Sequence, residues 1–241
     1  MASHGKSEAQ EAKKVQRAAF KTRLSALSDD EVNVQSEKAQ EVILSLPQFQ
    51  QAKRVGIYLS MPTAEAQTDR LVRHALENDK KVFVPYIYPV GNEKAKKKIM
   101  DMLRLESIKD YESLERDSWG IPKLPKEGRE VRENAMGGVG LSLSSEGAHK
   151  EGIELAGLDL IVVPAVAFDR DMNRMGHGAG FYDHYLSRFC SGGKRTKPFL
   201  VGLCLAEQII GPGQLIMQEW DWKVDAVAVG DGSLLTSEDT Q

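Results

Sequence analysis

The chain has 241 residues, 41% hydrophobic and 28% charged, with nine prolines; this suits one compact domain with elaborations and excludes wholesale disorder. Thirty-two Lys and Arg against thirty-five Asp and Glu leave a net charge of -3, so no global basic field draws the protein to nucleic acid or membrane, and any anion site must be local. Cys190 and Cys204 have neither metal nor disulfide spacing, no apolar run approaches a membrane span, and Met1 to Lys14 holds no hydrophobic segment, which together predict a reduced, cytoplasmic setting.

After a tail expected to be flexible over residues 1–7, the pattern from Glu8 to Leu27 predicts a helix with Phe20, Leu24 and Leu27 on its apolar stripe. Lys13, Arg17 and Lys21 recur every four residues. At 100° per residue Lys13 falls almost in line with Phe20 and Leu24, so the stripe turns cationic toward the N-terminal end. Taken alone, this row also reads as the solvated edge of a surface helix. Ser28 and Glu31 form a capping-box pair opening a second helix, whose core face is Val32, Ala39, Val42, Ile43 and Leu46 and whose stop is Pro47. A strand is predicted at Val55–Leu59, then a loop from Ser60 to Glu65. Thr68 is placed to cap a helix running to Asn78, and Lys81–Pro85 forms a second strand, a strand-helix-strand unit long enough for parallel pairing.

Lys94 to Lys98 carries no interleaved aromatic residues and reads as a solvated hairpin tip before a third strand, Ile99–Leu105. Trp119-Gly120-Ile121-Pro122 is a turn with an aromatic anchor. The Gly- and Ser-rich stretch 135–152 is expected to be a mobile insert without catalytic groups. Leu158–Pro164 is almost unbroken apolar, the pattern of a parallel strand covered on both faces and so the expected sheet centre. A polar loop from Asp169 to His177 leads into a helix over Gly178–Arg188. Strands at Phe199–Leu205 and Val224–Val229 precede a tail expected to be flexible over 232–241. The class is therefore α/β: a single domain with a central, mostly parallel sheet flanked by helices and an N-terminal helical pair.

The segment richest in chemistry is Asn173-Arg174-Met175-Gly176-His177-Gly178-Ala179-Gly180-Phe181-Tyr182-Asp183, between a buried strand and a helix start. Glycines at alternate positions let backbone N–H groups approach an anion, and the helix start adds partial positive charge. The alternative is a turn that needs glycine only for chain reversal. The loop is neither a Walker A sequence nor the dinucleotide fingerprint. Asp183, in the first helical turn, suits a Mg²⁺ shared with phosphate oxygens, or a carboxylate complementing the helix dipole. Arg174 offers a planar fork for phosphate, or a surface ion pair. His177 and His184 lack partners at zinc-ligand spacing. Asp221 and Asp225 lie four apart before the last strand, in what could equally be an acidic surface turn. Glu65 follows the first strand, where open α/β sheets place ligand contacts, and its companions Leu59 and Met61 suit a flat heterocycle or the core.

Taken together these residues resemble the 5-formyltetrahydrofolate cyclo-ligase family, also called methenyltetrahydrofolate synthetase. The resemblance runs through Lys13-x-x-x-Arg17, the Ser60-Met61 loop with Glu65-x-x-Thr68, Trp119-x-Ile121-Pro122, Asp169 to Asp183 and Asp221-x-x-Val224-Asp225. It implies a fold related to ribose-5-phosphate isomerase and CoA-transferase folds. It also implies conversion of 5-formyltetrahydrofolate to 5,10-methenyltetrahydrofolate with ATP and Mg²⁺, through phosphorylation of the formyl oxygen and attack by N10. On that resemblance Lys13, Lys14, Arg17 and the loop from Arg174 through Met175, Gly176, His177, Gly178, Ala179, Gly180, Phe181 and Tyr182 hold ATP, with Lys13, Arg17 and Arg174 catalytic. Asp183 and Asp221 hold Mg²⁺. Glu65 bonds the pterin, with Leu59, Met61, Trp119 and His177 to Phe181 around the folate. The partners implied are these small molecules alone, without nucleic acid or membrane, acting on a monomer in the cytoplasm. The chain departs from many relatives in having His177 and Ala179 where they carry basic residues, and in a longer 60–65 loop and a longer insert before residue 153. A non-catalytic folate or nucleotide binder and a sugar-phosphate isomerase are the competing readings.

Overall fold

The computed structural model describes residues 2–91, 97–143, 157–191 and 195–237. Among the described residues six helices, α1 (Ala2–Leu24), α2 (Asp29–Ser45), α3 (Pro47–Gln51), α4 (Asp69–Glu77), α5 (Ile108–Glu112) and α6 (Phe181–Cys190), accompany twelve strands. The strands are β1 (Arg54–Ile57), β2 (Lys81–Val90), β3 (Lys97–Leu105), β4 (Glu115–Arg116), β5 (Pro122–Lys123), β6 (Leu160–Val163), β7 (Ala167–Asp169), β8 (Arg174–Met175), β9 (Phe199–Cys204), β10 (Ile209–Ile210), β11 (Ala226–Val229) and β12 (Leu234–Thr236). The main sheet has seven strands in the order β12-β11-β9-β6-β1-β2-β3. Its five inner strands are parallel and both edges antiparallel, as the mostly parallel prediction requires.

The apolar run that suggested the sheet centre is β6, fourth of the seven strands. Alternate residues supply opposite faces: Leu160 and Val162 pack with the core around α2 and α4, and Ile161 and Val163 with the core around α6. Ser28 makes the capping box with Glu31, and Pro47 both ends α2 and opens α3. No helix among the described residues is long and apolar enough to cross a membrane.

Four stretches depart most from expectation. Helix α1 continues back to Ala2 where a flexible tail was expected. Strand β2 runs through Pro85 and Pro89 because its pairing to β1 ends at Phe83, so beyond that point the prolines disturb no ladder on that side. The stretch 135–143 is packed rather than mobile. Ala135, Met136 and Leu141 are buried, and Gly137, Gly138 and Gly140 take positive φ in the turns that fold it onto β3, so these glycines serve tight geometry. Residues 144–152 of the expected insert, and 92–96 of the lysine-rich tip, lie outside the described residues, and Lys97 and Lys98 open β3. Finally, Leu234–Thr236 is a strand where a tail was expected: Asp231 accepts from Ser233 N (2.8 Å) and Gly232 takes φ +93°, turning the chain back so that β12 pairs with β11.

Candidate active site

The site forms at the carboxyl ends of β1 and β6, where loops leave an open parallel sheet. Beyond β1, Thr68 does not cap α4 with its side chain; its hydroxyl donates to Tyr58 O (2.8 Å), while the Tyr58 hydroxyl donates to Ala66 O (2.6 Å). Gln67 donates to Met61 O (2.8 Å) and Glu65 O (2.7 Å), so the 60–67 loop closes on itself. Within it the buried Glu65 carboxylate accepts from Met61 N (2.8 Å) through Oε2, and Oε1 stands 3.7 Å from His177 Nε2. Glu65 thus faces the glycine loop.

That loop stays non-helical through Gly180. Gly178 and Gly180 have φ +105° and +67°, left-handed values that an L side chain resists, and α6 starts only at Phe181. Arg17 Nε donates to Gly176 O (2.9 Å), and a Cβ added at Gly178 would meet the Arg17 guanidinium at 3.5 Å, so α1 packs directly beneath the loop. Lys13 is buried in line with Phe20 and Leu24 and pairs with Asp221, whose Oδ2 also accepts from Gln218 N (2.8 Å). The cationic end of the α1 stripe therefore faces the interior rather than solvent. Arg174 is likewise no surface residue. It is 5% exposed, donates through Nη2 to Asp183 Oδ1 (2.7 Å) and lies 5.7 Å from the Tyr182 ring centroid. Asp183 Oδ1 also accepts from Trp222 N (3.1 Å).

Two cavities meet here. The first, about 610 Å³, is lined by apolar and aromatic groups, with Leu59, Met61, Tyr86, Trp119 and Phe181 around Glu65. The second, about 720 Å³, lies between α1 and the loop, with Lys13, Lys14 and Arg17 on one wall and Gly178 and Asp221 on the other. Arg174, Gly176, Ala179, Gly180 and Asp183 line both. Each cavity is the size of a small-molecule site. One is suited to a flat, largely apolar ligand and the other to a polyanion, and a short shared wall joins them. Burial keeps the phenols around the first cavity protonated: it pushes Tyr88 up to about 12, and drives Tyr58 and Tyr182, both near Glu65, well above the usual phenol range.

The sequence model of the 5-formyltetrahydrofolate cyclo-ligase family matches residues 9–230. The chain belongs to that family. It is 36% identical over 220 residues to the 5-formyltetrahydrofolate cyclo-ligase of Mus musculus, covering 91% of this chain and 94% of that one. It is 30% identical over 215 residues to the probable cyclo-ligase of Schizosaccharomyces pombe, covering 88% and 91%. The NMR structure of Aquifex aeolicus 5,10-methenyltetrahydrofolate synthetase superposes with a TM-score of 0.61 at 25% identity, covering 98% of this chain and 94% of that one. The Mycoplasma pneumoniae 5,10-methenyltetrahydrofolate synthetase, 16% identical with a TM-score of 0.53, shares the fold.

In this chain the residues expected around nucleotide and folate divide between the two cavities. Lys13, Lys14, Arg17, Met175, Gly178 and Asp221 line the second only. Leu59, Met61, Glu65, Trp119, His177, Phe181 and Tyr182 line the first only, so Tyr182, expected at ATP, lines the apolar cavity, and of the residues expected at both ligands His177 and Phe181 line the first cavity alone and Gly178 the second alone. Unforeseen were Tyr58, Tyr86, Tyr88 and Met100. A strand expected to stop at Pro85 concealed Tyr86 and Tyr88, and their alternation in Pro85-Tyr86-Ile87-Tyr88-Pro89 was the available signal.

Proposed function

We infer that this chain, as its family membership indicates, converts 5-formyltetrahydrofolate to 5,10-methenyltetrahydrofolate with ATP going to ADP and phosphate. The observation that carries the assignment of parts is the wall shared by the two cavities: a folate in the apolar cavity and a triphosphate in the other present the formyl group and the γ-phosphate to each other across Gly176–Gly180 and Asp183.

A formamide oxygen is a poor leaving group until phosphorylated. The formyl oxygen forms a bond to the γ-phosphorus as the bond to ADP breaks, its electron pair leaving with ADP. N10 then attacks the formyl carbon, the C–O bond breaks with its pair leaving on phosphate, and the N10 proton passes to water. Lys13 and Arg17 hold the polyphosphate from α1, with backbone donors of the glycine loop opposite. Arg174, bonded to Asp183, acts chiefly as a positioning residue for that carboxylate. Glu65 accepts hydrogen bonds from the pterin edge, and Leu59, Met61 and Trp119 cover its faces.

The residues fit a Mg²⁺ ion. The bonds made to Asp183 end on Oδ1 and those to Asp221 on Oδ2, leaving one oxygen of each carboxylate beside the nucleotide cavity. No three His, Cys, Asp or Glu among the described residues form a closed metal cage. One or two carboxylates completed by phosphate oxygens and water is the set Mg²⁺ takes. Asp183 and Asp221 would hold it, and it supplies neutralisation of charge along the polyphosphate.

The test is turnover of the purified protein, followed by ADP release and methenyl absorbance, with 5-formyltetrahydrofolate, ATP and Mg²⁺ each omitted in turn. Product forms only with all three; no turnover by folded protein overturns the reading.

A further inference from the structure

The three tryptophans occupy three different environments. Trp119 stands at the folate cavity, and Trp222 packs on the core around α6 with its indole N–H donating to Ser187 Oγ (3.1 Å). Trp220 lines the nucleotide cavity and remains 49% exposed. Hydrogen bonds hold the turn on which it sits. Asp221 N donates to Gln218 O (2.9 Å) and Gln218 N to Asp221 Oδ2 (2.8 Å), closing a turn that contains Trp220. Lys13 fastens that turn to α1, and the Trp222 N bond to Asp183 Oδ1 (3.1 Å) fastens the residues after it to α6.

The nucleotide cavity runs along α1 from Gln10 to Arg17, about 10 Å at the helical rise. Arg17 marks its phosphate end, since it bonds Gly176 O and lies under Gly178. Toward the other end α1 contributes Gln10, Glu11 and Lys14, and Trp220 contributes the only indole of this lining among the described residues. A nucleoside needs a flat apolar surface where the phosphate-binding groups end, and stacking on an aromatic face is the interaction a purine makes most readily there.

We propose that Trp220 is the base-binding residue of the nucleotide cavity, stacking its indole on the purine while Arg17 and the glycine loop take the phosphates. The proposal rests on the functional reading above, which leaves the base end of the cavity unassigned.

Calorimetric titration with Mg²⁺ present, comparing ATP with inorganic tripolyphosphate, separates base from phosphate. Trp220→Ala should weaken ATP about tenfold while leaving tripolyphosphate within about twofold of the unaltered protein. Trp220→Phe, which keeps an aromatic face, should stay within about threefold for ATP. Unchanged ATP binding in the alanine variant overturns the proposal. So does equal weakening of both ligands, which would mean that Trp220 only supports the Asp221 turn. Should the alanine variant not fold, tryptophan emission decides: ATP, but not tripolyphosphate, quenches it in the unaltered protein, and Trp220→Phe abolishes that quench. A quench that persists in the phenylalanine variant sinks the idea. Turnover measured in parallel keeps the two inferences apart. An unaltered protein that binds ATP through Trp220 without converting 5-formyltetrahydrofolate breaks the functional reading alone, and full turnover with an indifferent Trp220→Ala breaks the stacking alone.

Discussion

At the amino end of the sheet, Glu133 accepts from Arg54 (2.6 Å), Lys81 (3.0 Å) and Arg104 (3.3 Å), one cation from each of β1, β2 and β3. At the carboxyl end, Asp183 and Asp221 each pair with one cation, Arg174 and Lys13, and one backbone N–H. The residue types are the same and the arrangements are not. Glu133 has donors on both oxygens, neither cavity reaches it, and its cluster ties strands together. Among the described residues the two aspartates take their bonds on one oxygen each, and both line a cavity. An ion cluster closed by protein donors serves the fold, whereas one left open on a single atom can take a ligand, because the protein donors already hold the carboxylate in place.

The comparison breaks most visibly at Asp183. Asp183→Asn preserves shape but loses the carboxylate, and should lower turnover per folded molecule by roughly a thousandfold, with a loss of thermal stability because buried Arg174 is left without its counter-charge. Activity near that of the unaltered protein in the ADP-release assay would put Asp183 with Glu133 as a purely structural acid. Arg17→Ala removes a charge-assisted phosphate contact and should raise the KM for ATP by about tenfold or more, with the KM for 5-formyltetrahydrofolate unchanged. Equal effects on both substrates would deny the division between cavities. Glu65→Gln should raise the folate KM by roughly five- to tenfold and leave that for ATP alone, read from the same initial-rate matrix.

The smallest effect is expected at the other end of the sheet. Burial by itself raises the Glu133 pKa, but the bonds from Arg54 and Lys81 outweigh it and hold the carboxyl below its ordinary value of 4.5. A depressed folded pKa contributes stability that is present above 4.5 and lost as pH falls from there through the folded value. Glu133→Gln should therefore cost about 1 to 2 kcal/mol in urea unfolding at neutral pH, with turnover per folded molecule unchanged. The gap between variant and unaltered protein should narrow below pH 4.5; a gap independent of pH would remove the charge from the account.

Much of this molecule was legible in one dimension. The capping box of α2, the apolar run of β6 and the glycine loop before α6 are local signals: hydrophobic period, cap chemistry and positive-φ residues act over a few positions and need no distant partner. The row of Lys13, Arg17 and Lys21 was ambiguous for the opposite reason. A helix pattern states which residues share a stripe but not what covers it, and only the packing of α1 under the loop turned Lys13 toward Asp221, 208 positions away. The same limit applied to 135–143 and to Leu234–Thr236. Glycines there read as flexibility until β3 and β11 were present as surfaces to fold against.

The sequence by itself determined the class of fold, the order of its main elements and the family, since all three rest on patterns written in consecutive residues. Tertiary structure alone decided how the site residues divide between two cavities, that Arg174 and Lys13 are buried partners of acids, and that tyrosines of β2 line the apolar cavity. Those facts depend on which strand lies beside which and on how closely α1 approaches the glycine loop, distances that no local pattern encodes.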